Sequence, residues 1–483
     1  MKLSEYTAQD ALGLAALVRA GEVTPAELAE AAFRAIDAVN DRLNAVIARL
    51  EPPAAGTTPG ARAPFHGVPF LIKDLLHGWG GLRCDMGSRL AEGYVYERDG
   101  ALAARYKQSG LVAIGRSNTP ELGLNAVTEP VLYGPTRNPW DPSRSPGGSS
   151  GGAGAAVAAG IVPLAHANDG GGSIRIPAAW CGLVGLKPSR GRNPLVPPAE
   201  GEAAYGLLAH HVIARSVRDS AAALDVTSGP TGGDYIALPK PERPFLEEVT
   251  CPPERLRIAL CTRFKETSAP EPECVEAVIS AARLCETLGH EIVEATPEIA
   301  YPEVAALCFE LYMLIAAKTI ETAAHATGRA PGPETLEPHT RATLERARAT
   351  GAMELVASLD RLNRMSRVMG RFMADYDVLL TPAVSRAPCP IGAFSPEGYD
   401  EGDLSYWSAE MECYTFLPLF SITGQPSMIL PLHWSADGLP LGVQIVAPIG
   451  GEAILFRLAG QLERAQPWAA RRPPIHAASA SQA

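Results

Sequence analysis

Apolar residues in the first part of the chain follow helical spacing, and one continuous apolar run favours a strand. Thr24-Pro25-Ala26-Glu27 is a capping box with proline in the first turn, and it predicts a helix from residue 25 to about 50. The run 68–72 predicts a short buried strand that ends at Lys73. The same criteria predict helices near 8–19 and over 99–109, and a strand over 112–115.

The stretch 145–177 combines two serine–glycine clusters with an alanine-rich run and a short apolar segment. Residues 153–159 predict a helix of small side chains, and 161–167 predict a buried strand that ends in a turn. The glycines 170–172 then precede Ser173. A strand that enters a tight glycine turn can hold a serine hydroxyl outward and direct several backbone N–H groups to one point, as an oxyanion hole requires. A flexible linker has a similar composition but does not normally lead into a buried helix and strand.

Past residue 190 the pattern is mainly helical, with strands towards the end of the chain. Many prolines and the lack of a long periodic run in 190–255 predict loops with short helices. The amphipathic helix predicted over 272–288 lies between strands predicted over 256–260 and 291–294, which makes a β–α–β unit. Further helices are predicted over 303–322, 340–376 and 452–465, and further strands over 377–381, 427–432 and 442–447. This order of elements is typical of a mixed α/β domain.

Composition narrows the classes to which the chain can belong. Of its 483 residues, 46% are hydrophobic and 20% charged, as in a globular protein with a large core. A net charge of −11, with no run of cations longer than Arg471-Arg472, argues against a nucleic-acid partner. Nine cysteines without a Cys-x-x-Cys pair fit a reduced compartment better than a disulfide framework or a zinc site. Since the sequence shows no signal-peptide core and no apolar run of about 18 residues, we expect a cytoplasmic protein without a membrane partner.

A serine hydroxyl needs a base before it becomes a nucleophile, and the sequence offers two kinds. The chain has ten histidines, but neither serine cluster matches Gly-x-Ser-x-Gly, and His166 on the predicted buried strand is more typical of a structural histidine. The other base is a lysine that burial keeps neutral, and Lys73 follows a buried run. The alternative role of Lys73 is a strand-end charge paired with Asp74. Phosphate-binding patterns fail, because Val157 replaces the third glycine of a dinucleotide fingerprint and no Gly-Lys-Ser/Thr occurs.

Three segments resemble the amidase signature family in content, order and spacing. They are Gly67-Val-Pro-Phe-Leu-Ile-Lys-Asp74, Gly147-Gly-Ser-Ser-Gly-Gly152 and Asp169-Gly-Gly-Gly-Ser-Ile-Arg-Ile-Pro177. The resemblance continues through Cys181-Gly-Leu-Val-Gly-Leu-Lys-Pro188 and resumes at Asp377-Val-Leu-Leu-Thr-Pro382, Thr423-Gly-Gln-Pro426 and Gly438-Leu-Pro-Leu-Gly-Val-Gln444. It spans most of the chain and is weakest over about 190–375.

The resemblance implies a fold and a domain organisation. The fold is α/β, the amidase signature fold, with a mixed twisted central β-sheet covered by helices on both faces. A single amidase domain extends over 1–470, with its signature core at about 60–190 and 376–465. The variable region at about 190–375 shapes the substrate pocket, and 471–483 form a flexible tail.

The resemblance also implies a Ser–cis-Ser–Lys triad. Ser173 is the nucleophile, Ser149 is the bridging serine held by a cis peptide bond, and Lys73 is the base. The oxyanion hole consists of N–H groups from Gly170, Gly171, Gly172 and Ser173. The resemblance implies no metal and no cofactor.

Other residues are implied to support the triad or to hold the substrate. Ser150 supports the first cluster by a hydrogen bond, and Asp169 and Arg175 brace the turn. Within the family, the resemblance looks closest to the branch of 6-aminohexanoate cyclic dimer hydrolases, which open small cyclic amides. The segment that carries it is HANDGGGSIRIPAAWCGLVGLKPSRGR. In that branch an asparagine and a cysteine help to hold the substrate, and the candidates here are Asn125 and Cys308. Cys308 lies in an apolar helical run, where a buried thiol is the default.

Three functional classes remain open. The first is a stand-alone amide hydrolase that acts on a small uncharged amide, ester or urethane. The resemblance makes a homodimer plausible for this class. The second is the glutaminase subunit of a tRNA-dependent amidotransferase, although Asn168-Asp169-Gly170 departs from the Ser-Asp-Thr usual there. The third is a binding protein on an inactive amidase scaffold, and the intact positions Lys73, Ser149 and Ser173 argue against it.

Overall fold

One mixed β-sheet joins both ends of the chain in the computed structural model, which describes residues 1–51, 60, 62–194, 206–394 and 405–480. The eleven strands in these ranges are β1 (Val46–Arg49), β2 (Pro69–Lys73), β3 (Val112–Ser117), β4 (Leu164–Asp169), β5 (Val184–Lys187), β6 (Ala209–Ala214), β7 (Arg257–Leu260), β8 (Glu291–Glu294), β9 (Val378–Pro382), β10 (Ser427–Trp434) and β11 (Pro440–Val446). Their order across the sheet is β1-β3-β2-β4-β6-β5-β10-β11-β9-β7-β8. Parallel pairs join β2 to β3 and β4, and β7 to β8 and β9, whereas the remaining pairs are antiparallel. The predicted mixed α/β fold is confirmed.

Helices cover both faces of this twisted sheet. In chain order they are α1 (Leu3–Ala8), α2 (Ala11–Arg19), α3 (Pro25–Leu43), α4 (Ala101–Gln108), α5 (Gly151–Ala158), α6 (Arg175–Cys181), α7 (Val217–Thr227), α8 (Phe245–Glu248), α9 (Pro272–Thr287), α10 (Tyr301–Thr327), α11 (Pro338–Arg348), α12 (Ala352–Phe372), α13 (Ser405–Met411), α14 (Pro418–Thr423), α15 (Glu452–Ala465) and α16 (Ala477–Ala480). Among the described residues, none of these helices has the length and apolar character that a bilayer crossing requires.

Strands β2 and β4 place the two ends of the motif region together. They run parallel and side by side, so their carboxyl ends reach the same edge of the sheet. Lys73 is the last residue of β2, and Asn168 and Asp169 are the last two of β4. Helix α5 begins directly after Ser150 and packs against both strands. The sheet therefore brings the lysine and both serine clusters to one edge.

The small side chains of α5 allow a close approach to the sheet. Its sequence GGAGAAVA is buried throughout, which leaves no polar face. A Cβ atom on Gly152 would lie 2.3 Å from the backbone nitrogen of Asn118, so only glycine fits there. The predicted helix of small residues is confirmed, two residues earlier than expected.

The amino-terminal helix α3 begins as predicted and ends earlier. Thr24 and Glu27 form the expected capping box, with Pro25 in the first turn. The helix stops at Leu43 rather than near residue 50, because Asn44 takes a left-handed conformation with φ of 50°. The chain then enters β1, which pairs with β3. The prediction of one long helix was wrong at this end.

Two predictions in the second half of the chain were wrong in part. Loops with short helices were expected over 190–255, and α7 and α8 confirm the helices, but the central strand β6 was not expected. Residues 195–205 lie outside the described residues. The single helix expected over 340–376 is divided into α11 and α12, because Gly351 has an extended backbone. By contrast, the β–α–β unit of β7, α9 and β8 is confirmed, with its strands parallel.

The end of the chain is packed as far as the structure describes it. The sequence analysis expects a flexible tail over 471–483, but Ile475 and His476 are buried. The N–H of Ile475 donates to the Pro139 carbonyl, and α16 packs against α1 and α3. The tail prediction is therefore wrong for 475–478, whose side chains are buried. Residues 481–483 lie outside the described residues.

Candidate active site

A cavity lies at the edge of the sheet where β2 and β4 end. Its empty space, including the mouth that opens to solvent, is about 890 Å³. Ser149, Asn168 and the glycine turn 170–172 line one side, together with Ser173. The opposite wall comes from α10 with Cys308, Phe309, Tyr312, Ile315, Ala316 and Thr319, and from α13 with Glu410 and Met411. Most of these side chains are apolar.

Lys73 is fully buried and reaches the first serine cluster. Its Nζ lies 2.7 Å from the Ser149 Oγ and donates a hydrogen bond of 2.7 Å to the Asn168 Oδ1. Burial lowers the pKa of Lys73 well below the usual lysine value, and the charge of Asp169 opposes this shift only in part. A neutral amine has two hydrogens and one lone pair, so it can donate to Asn168 while it accepts from the Ser149 hydroxyl.

The alternative role of Lys73, a charge paired with Asp74, is wrong. The Asp74 Oδ1 accepts hydrogen bonds from the Arg116 guanidinium at 2.6 Å and from the Asp85 N–H at 3.0 Å. Among the described residues, no ion pair joins Lys73 to Asp74. The carboxylate that follows the strand is therefore held by an arginine, which leaves the lysine amine for the serine.

Asn168 is a site residue whose contact the sequence analysis does not predict. Its Oδ1 accepts from Lys73, and its Nδ2 donates to the Leu75 carbonyl at 3.0 Å. An amide oxygen can orient an amine without the charge that would favour an ammonium. The signal in the sequence was the departure of Asn168 from the serine that is usual at this position in the amidotransferase subunits.

The two serine clusters are tied to each other through Ser150. The peptide bond between Gly148 and Ser149 is cis. The Ser150 N–H donates to the Ser173 carbonyl at 3.2 Å, and the Ser150 Oγ donates to the Asn168 carbonyl at 3.3 Å. Ser149 and Ser173 both line the cavity, so their hydroxyls share one solvent-accessible space.

The glycine turn presents backbone donors to the cavity. Within the described residues, the N–H groups of Gly170, Gly171, Gly172 and Ser173 donate no hydrogen bond. The Tyr312 hydroxyl donates to the Gly170 carbonyl, and a Cβ on Gly170 would lie 2.5 Å from the Tyr312 ring. Because that carbonyl and the Gly171 N–H belong to one planar peptide unit, Tyr312 also sets the direction of the N–H. No pattern in the sequence marks Tyr312 as a residue of the site.

Asp169 and Arg175 form a buried ion pair beneath the turn. The Asp169 Oδ2 accepts from the Arg175 Nε at 2.9 Å and from the Ile174 N–H at 3.1 Å. Burial by itself raises the pKa of Asp169, but the charge and hydrogen bonds of Arg175 hold it below the usual value. Arg175 further donates to the Leu417 carbonyl, Ser421 Oγ, Ser427 Oγ and Gln444 Oε1. This geometry supports a bracing role for both residues.

The two candidates for holding the substrate, Asn125 and Cys308, both line the cavity. The Asn125 Oδ1 accepts from the Val127 N–H at 2.9 Å, and its Nδ2 donates to the Phe394 carbonyl at 3.2 Å. Burial raises the pKa of the Cys308 thiol to about 12, so this thiol is protonated at neutral pH. Cys308 therefore lines the cavity, although the apolar pattern of its helix predicts a residue of the hydrophobic core.

His166 has the structural environment that its strand position indicates. Its Nε2 lies 3.2 Å from the Nδ1 of His210, and the two rings stack. Burial lowers the pKa of His166 well below the usual histidine value. Its ring contacts Trp79 and Tyr106 in the core. His166 therefore has a structural role and is not the base that activates a serine.

Among the described residues, one cluster of potential metal ligands, Asp74, His77 and Cys84, has both nitrogens of its histidine engaged within the protein. Its ligand atoms lie within 4.8 Å of one another. The His77 Nδ1 accepts from the Trp79 N–H, and its Nε2 lies 3.1 Å from the Arg83 carbonyl. A metal would also face the Arg116 cation that pairs with Asp74. We therefore assign this cluster a role in packing.

The known proteins that are most informative about this chain are amidases and related amide hydrolases. The family model described as Amidase matches residues 27–456. A 6-aminohexanoate-cyclic-dimer hydrolase from Paenarthrobacter ureafaciens is 39% identical over 478 residues, with 97% of each chain covered. A solved 6-aminohexanoate cyclic dimer hydrolase with bound substrate is 36% identical with a TM-score of 0.89, covering 97% of this chain and 99% of that one. A bacterial aryl acylamidase of the amidase signature family is 25% identical with a TM-score of 0.83, covering 96% and 99%.

Proposed function

The chain belongs to the amidase family and is an amide hydrolase, and on that premise we propose that Ser173 forms an acyl-enzyme while Ser149 and Lys73 relay its proton. One observation carries the proposal: the buried Lys73 Nζ lies 2.7 Å from the Oγ of Ser149, and Ser149 lines the same cavity as Ser173. A lysine kept neutral by burial is a base strong enough to accept a serine proton through a second serine.

The proposed acylation step moves one proton along the triad. Lys73 accepts the Ser149 proton while Ser149 accepts that of Ser173, and the Ser173 Oγ attacks the amide carbonyl carbon. The N–H groups of the glycine turn stabilise the oxyanion. The relay then returns the proton to the leaving nitrogen, the C–N bond breaks and the amine departs. Water attacks the resulting ester by the same relay, which releases a carboxylic acid and restores Ser173.

We propose a small uncharged amide as the substrate class, with 6-aminohexanoate cyclic dimer as the first candidate. The apolar wall from α10 supports this choice, because a charged substrate would lose its hydration there without a fixed counter-ion. The relatives named for cyclic dimer hydrolysis cover the chain almost completely. Aryl amides and urethanes pass through the same tetrahedral intermediate and belong to the same proposal.

A substrate panel tests the proposed function and its amidotransferase alternative. The purified chain alone is given the cyclic dimer, an anilide, a primary amide, a urethane and glutamine, and release of amine or ammonia is followed. We expect turnover of an uncharged amide, with kcat/KM for glutamine lower by at least about 100-fold because its charges are poorly matched to the apolar wall. A preference for glutamine, or activity only with a co-purifying partner, contradicts the proposal.

The pH profile of an Asn168→Asp variant tests whether Lys73 acts as a neutral base. The variant keeps the side-chain shape but places a carboxylate against the Nζ, which favours the ammonium and raises the pKa of Lys73. Since the neutral amine is the active form, we expect the acid limb of kcat/KM to move to higher pH by at least about one unit.

The control for this experiment is Asn40→Asp at the end of α3. The Asn40 Oδ1 accepts from the N–H groups of Ala45 and Val46, which a carboxylate can also do, and the residue lies outside the cavity. Its acid limb should match that of the wild type. An unchanged limb in Asn168→Asp would exclude Lys73 as the titrating base.

We also propose that 1–470 act as a single domain. One sheet includes strands from β1 to β11, and the cavity walls come from the signature core and from the region 190–375. The homodimer and the cytoplasmic location stay predictions of the sequence.

A further inference from the structure

Glu410 is a buried carboxyl group in the wall of the substrate cavity that the proposed mechanism does not use. It lies on α13, has no exposed surface and lines the cavity. Its Oε1 accepts a hydrogen bond from the Ala126 N–H. Its Oε2 is buried and has no hydrogen-bond partner among the described residues. A buried polar atom without a partner is costly, so the atom needs a ligand.

The surroundings of Glu410 hold its carboxyl in the neutral form. Among the described residues, no lysine, arginine or histidine forms an ion pair with it. Its pKa is raised to about 8, chiefly by burial, while the hydrogen bond from the Ala126 N–H lowers it and the nearby Cys389 makes a smaller contribution that raises it. Because the Oε1 already accepts from a backbone N–H, the proton belongs on the Oε2. Glu410 therefore contributes one O–H donor that is buried in the cavity wall.

We propose that Glu410 is a specificity-determining residue that donates a hydrogen bond from its Oε2 to a second carbonyl group of the substrate, away from the bond that is cleaved. This inference rests on the proposed function. A substrate with two amide groups can place one carbonyl at Ser173 and the other at Glu410. A monoamide leaves the donor without an acceptor in an apolar wall, and unpaired buried donors are a strong source of discrimination.

The neighbours of Glu410 on the same side of the cavity support this assignment. The Asn125 and Ala126 backbone lies directly against it, and Met411 and Tyr414 follow it on the chain. The Asn125 side chain is held by the Val127 N–H and the Phe394 carbonyl, so it presents a fixed amide beside the carboxyl. A carbonyl oxygen that enters here meets a donor and an apolar surface. A carboxylate meets no fixed cation among the described side chains that line the cavity.

Two variants and two substrates test the proposal. Glu410→Gln keeps a donor and an acceptor of the same shape, whereas Glu410→Leu removes both. The substrates are 6-aminohexanoate cyclic dimer and a monolactam of the same ring size. We expect Glu410→Leu to lower kcat/KM for the dimer by at least about tenfold, mainly through KM, and to change that for the lactam by less than about threefold. We expect Glu410→Gln to stay within about threefold of the wild type on both.

Four outcomes separate the inference from the proposed function. A folded wild type that hydrolyses no uncharged amide or urethane, neither these rings nor the anilide, primary amide and urethane of the substrate panel, contradicts the proposed function itself. A wild type that hydrolyses another member of the panel but not the dimer overturns only the inference. Equal losses on dimer and lactam in Glu410→Leu, with kcat rather than KM changed, overturn the inference and leave the amidase proposal intact. A Glu410→Gln variant as impaired on the dimer as Glu410→Leu also overturns it, since a neutral donor would then not suffice. The melting temperature of each variant shows that the losses are measured on folded protein.

Discussion

Ser173→Ala lowers kcat on any amide substrate by at least about 10⁴-fold, while the protein stays folded and binds substrate with little change in affinity. The variant removes the oxygen that the acyl group would occupy, so acylation has no nucleophile. The glycine turn loses only a partly exposed hydroxyl, and the ion pair of Asp169 and Arg175 still braces it. Steady-state kinetics and substrate binding by calorimetry measure the two effects separately.

The matched control is Ser150→Ala, in the other serine cluster. Within the part of the chain that the structure describes, the Ser150 Oγ donates only to the Asn168 carbonyl, at 3.3 Å. Its loss should lower kcat by less than about tenfold, because one neutral hydrogen bond contributes about 1 kcal/mol. If both serine variants lost activity to the same extent, Ser173 would have no special role as the nucleophile.

Lys73→Met lowers kcat by at least about 10³-fold and does not destabilise the fold. Without the amine, the Ser149 hydroxyl has no base to receive its proton, and a positioned base contributes about 10²–10⁴-fold. Burial lowers the pKa of Lys73, so there is a range of pH in which the amine is protonated in the unfolded chain and neutral in the folded one. Folding then removes a proton from an amine that binds it tightly in the unfolded chain. This lowers the free energy of unfolding of the wild type, and the methionine variant has no such loss. This loss of stability is present at neutral pH and disappears as the pH rises towards the pKa that the lysine has in the unfolded chain.

The control for Lys73→Met is a second buried lysine, Lys187, on β5. Burial lowers its pKa to about 7, and its Nζ donates to the Pro188 carbonyl at 2.9 Å. It lies outside the cavity that holds Ser149 and Ser173. Lys187→Met should keep kcat within about tenfold of the wild type. A Lys73→Met variant that retained most of its activity would contradict the base assignment.

Local signals predicted the elements that position the site. The capping box at Thr24 marked the start of α3, and the apolar run before Lys73 marked a buried strand with the lysine at its end. Both depend on neighbours in the sequence, which a pattern can show. The same holds for the alanine-rich α5 between the serine clusters. The resemblance to the amidase signature family added the roles that spacing alone leaves open.

Long-range contacts explain what the sequence did not show. Strand β6 contains His210 and His211 in the middle of an apolar run, and its strand character comes from pairing with β4 and β5. Tyr312 and Gly170 are 142 residues apart, and Glu410 and Ala126 are 284 apart, yet each pair is hydrogen bonded. No local period places these side chains in one cavity. Their roles follow only from the folded arrangement.

The most direct test of the account is to identify the residue that becomes acylated. Wild-type protein is mixed with a slowly deacylated ester or amide and quenched in acid during turnover. It is then digested with a protease that cleaves before aspartate, because cleavage at Asp169 places Ser149 and Ser173 on different peptides for mass spectrometry. We predict an added acyl mass on the peptide that contains Ser173, and no such mass in Ser173→Ala. An acyl mass on the peptide that contains Ser149, or turnover without any acylated peptide, would contradict the account.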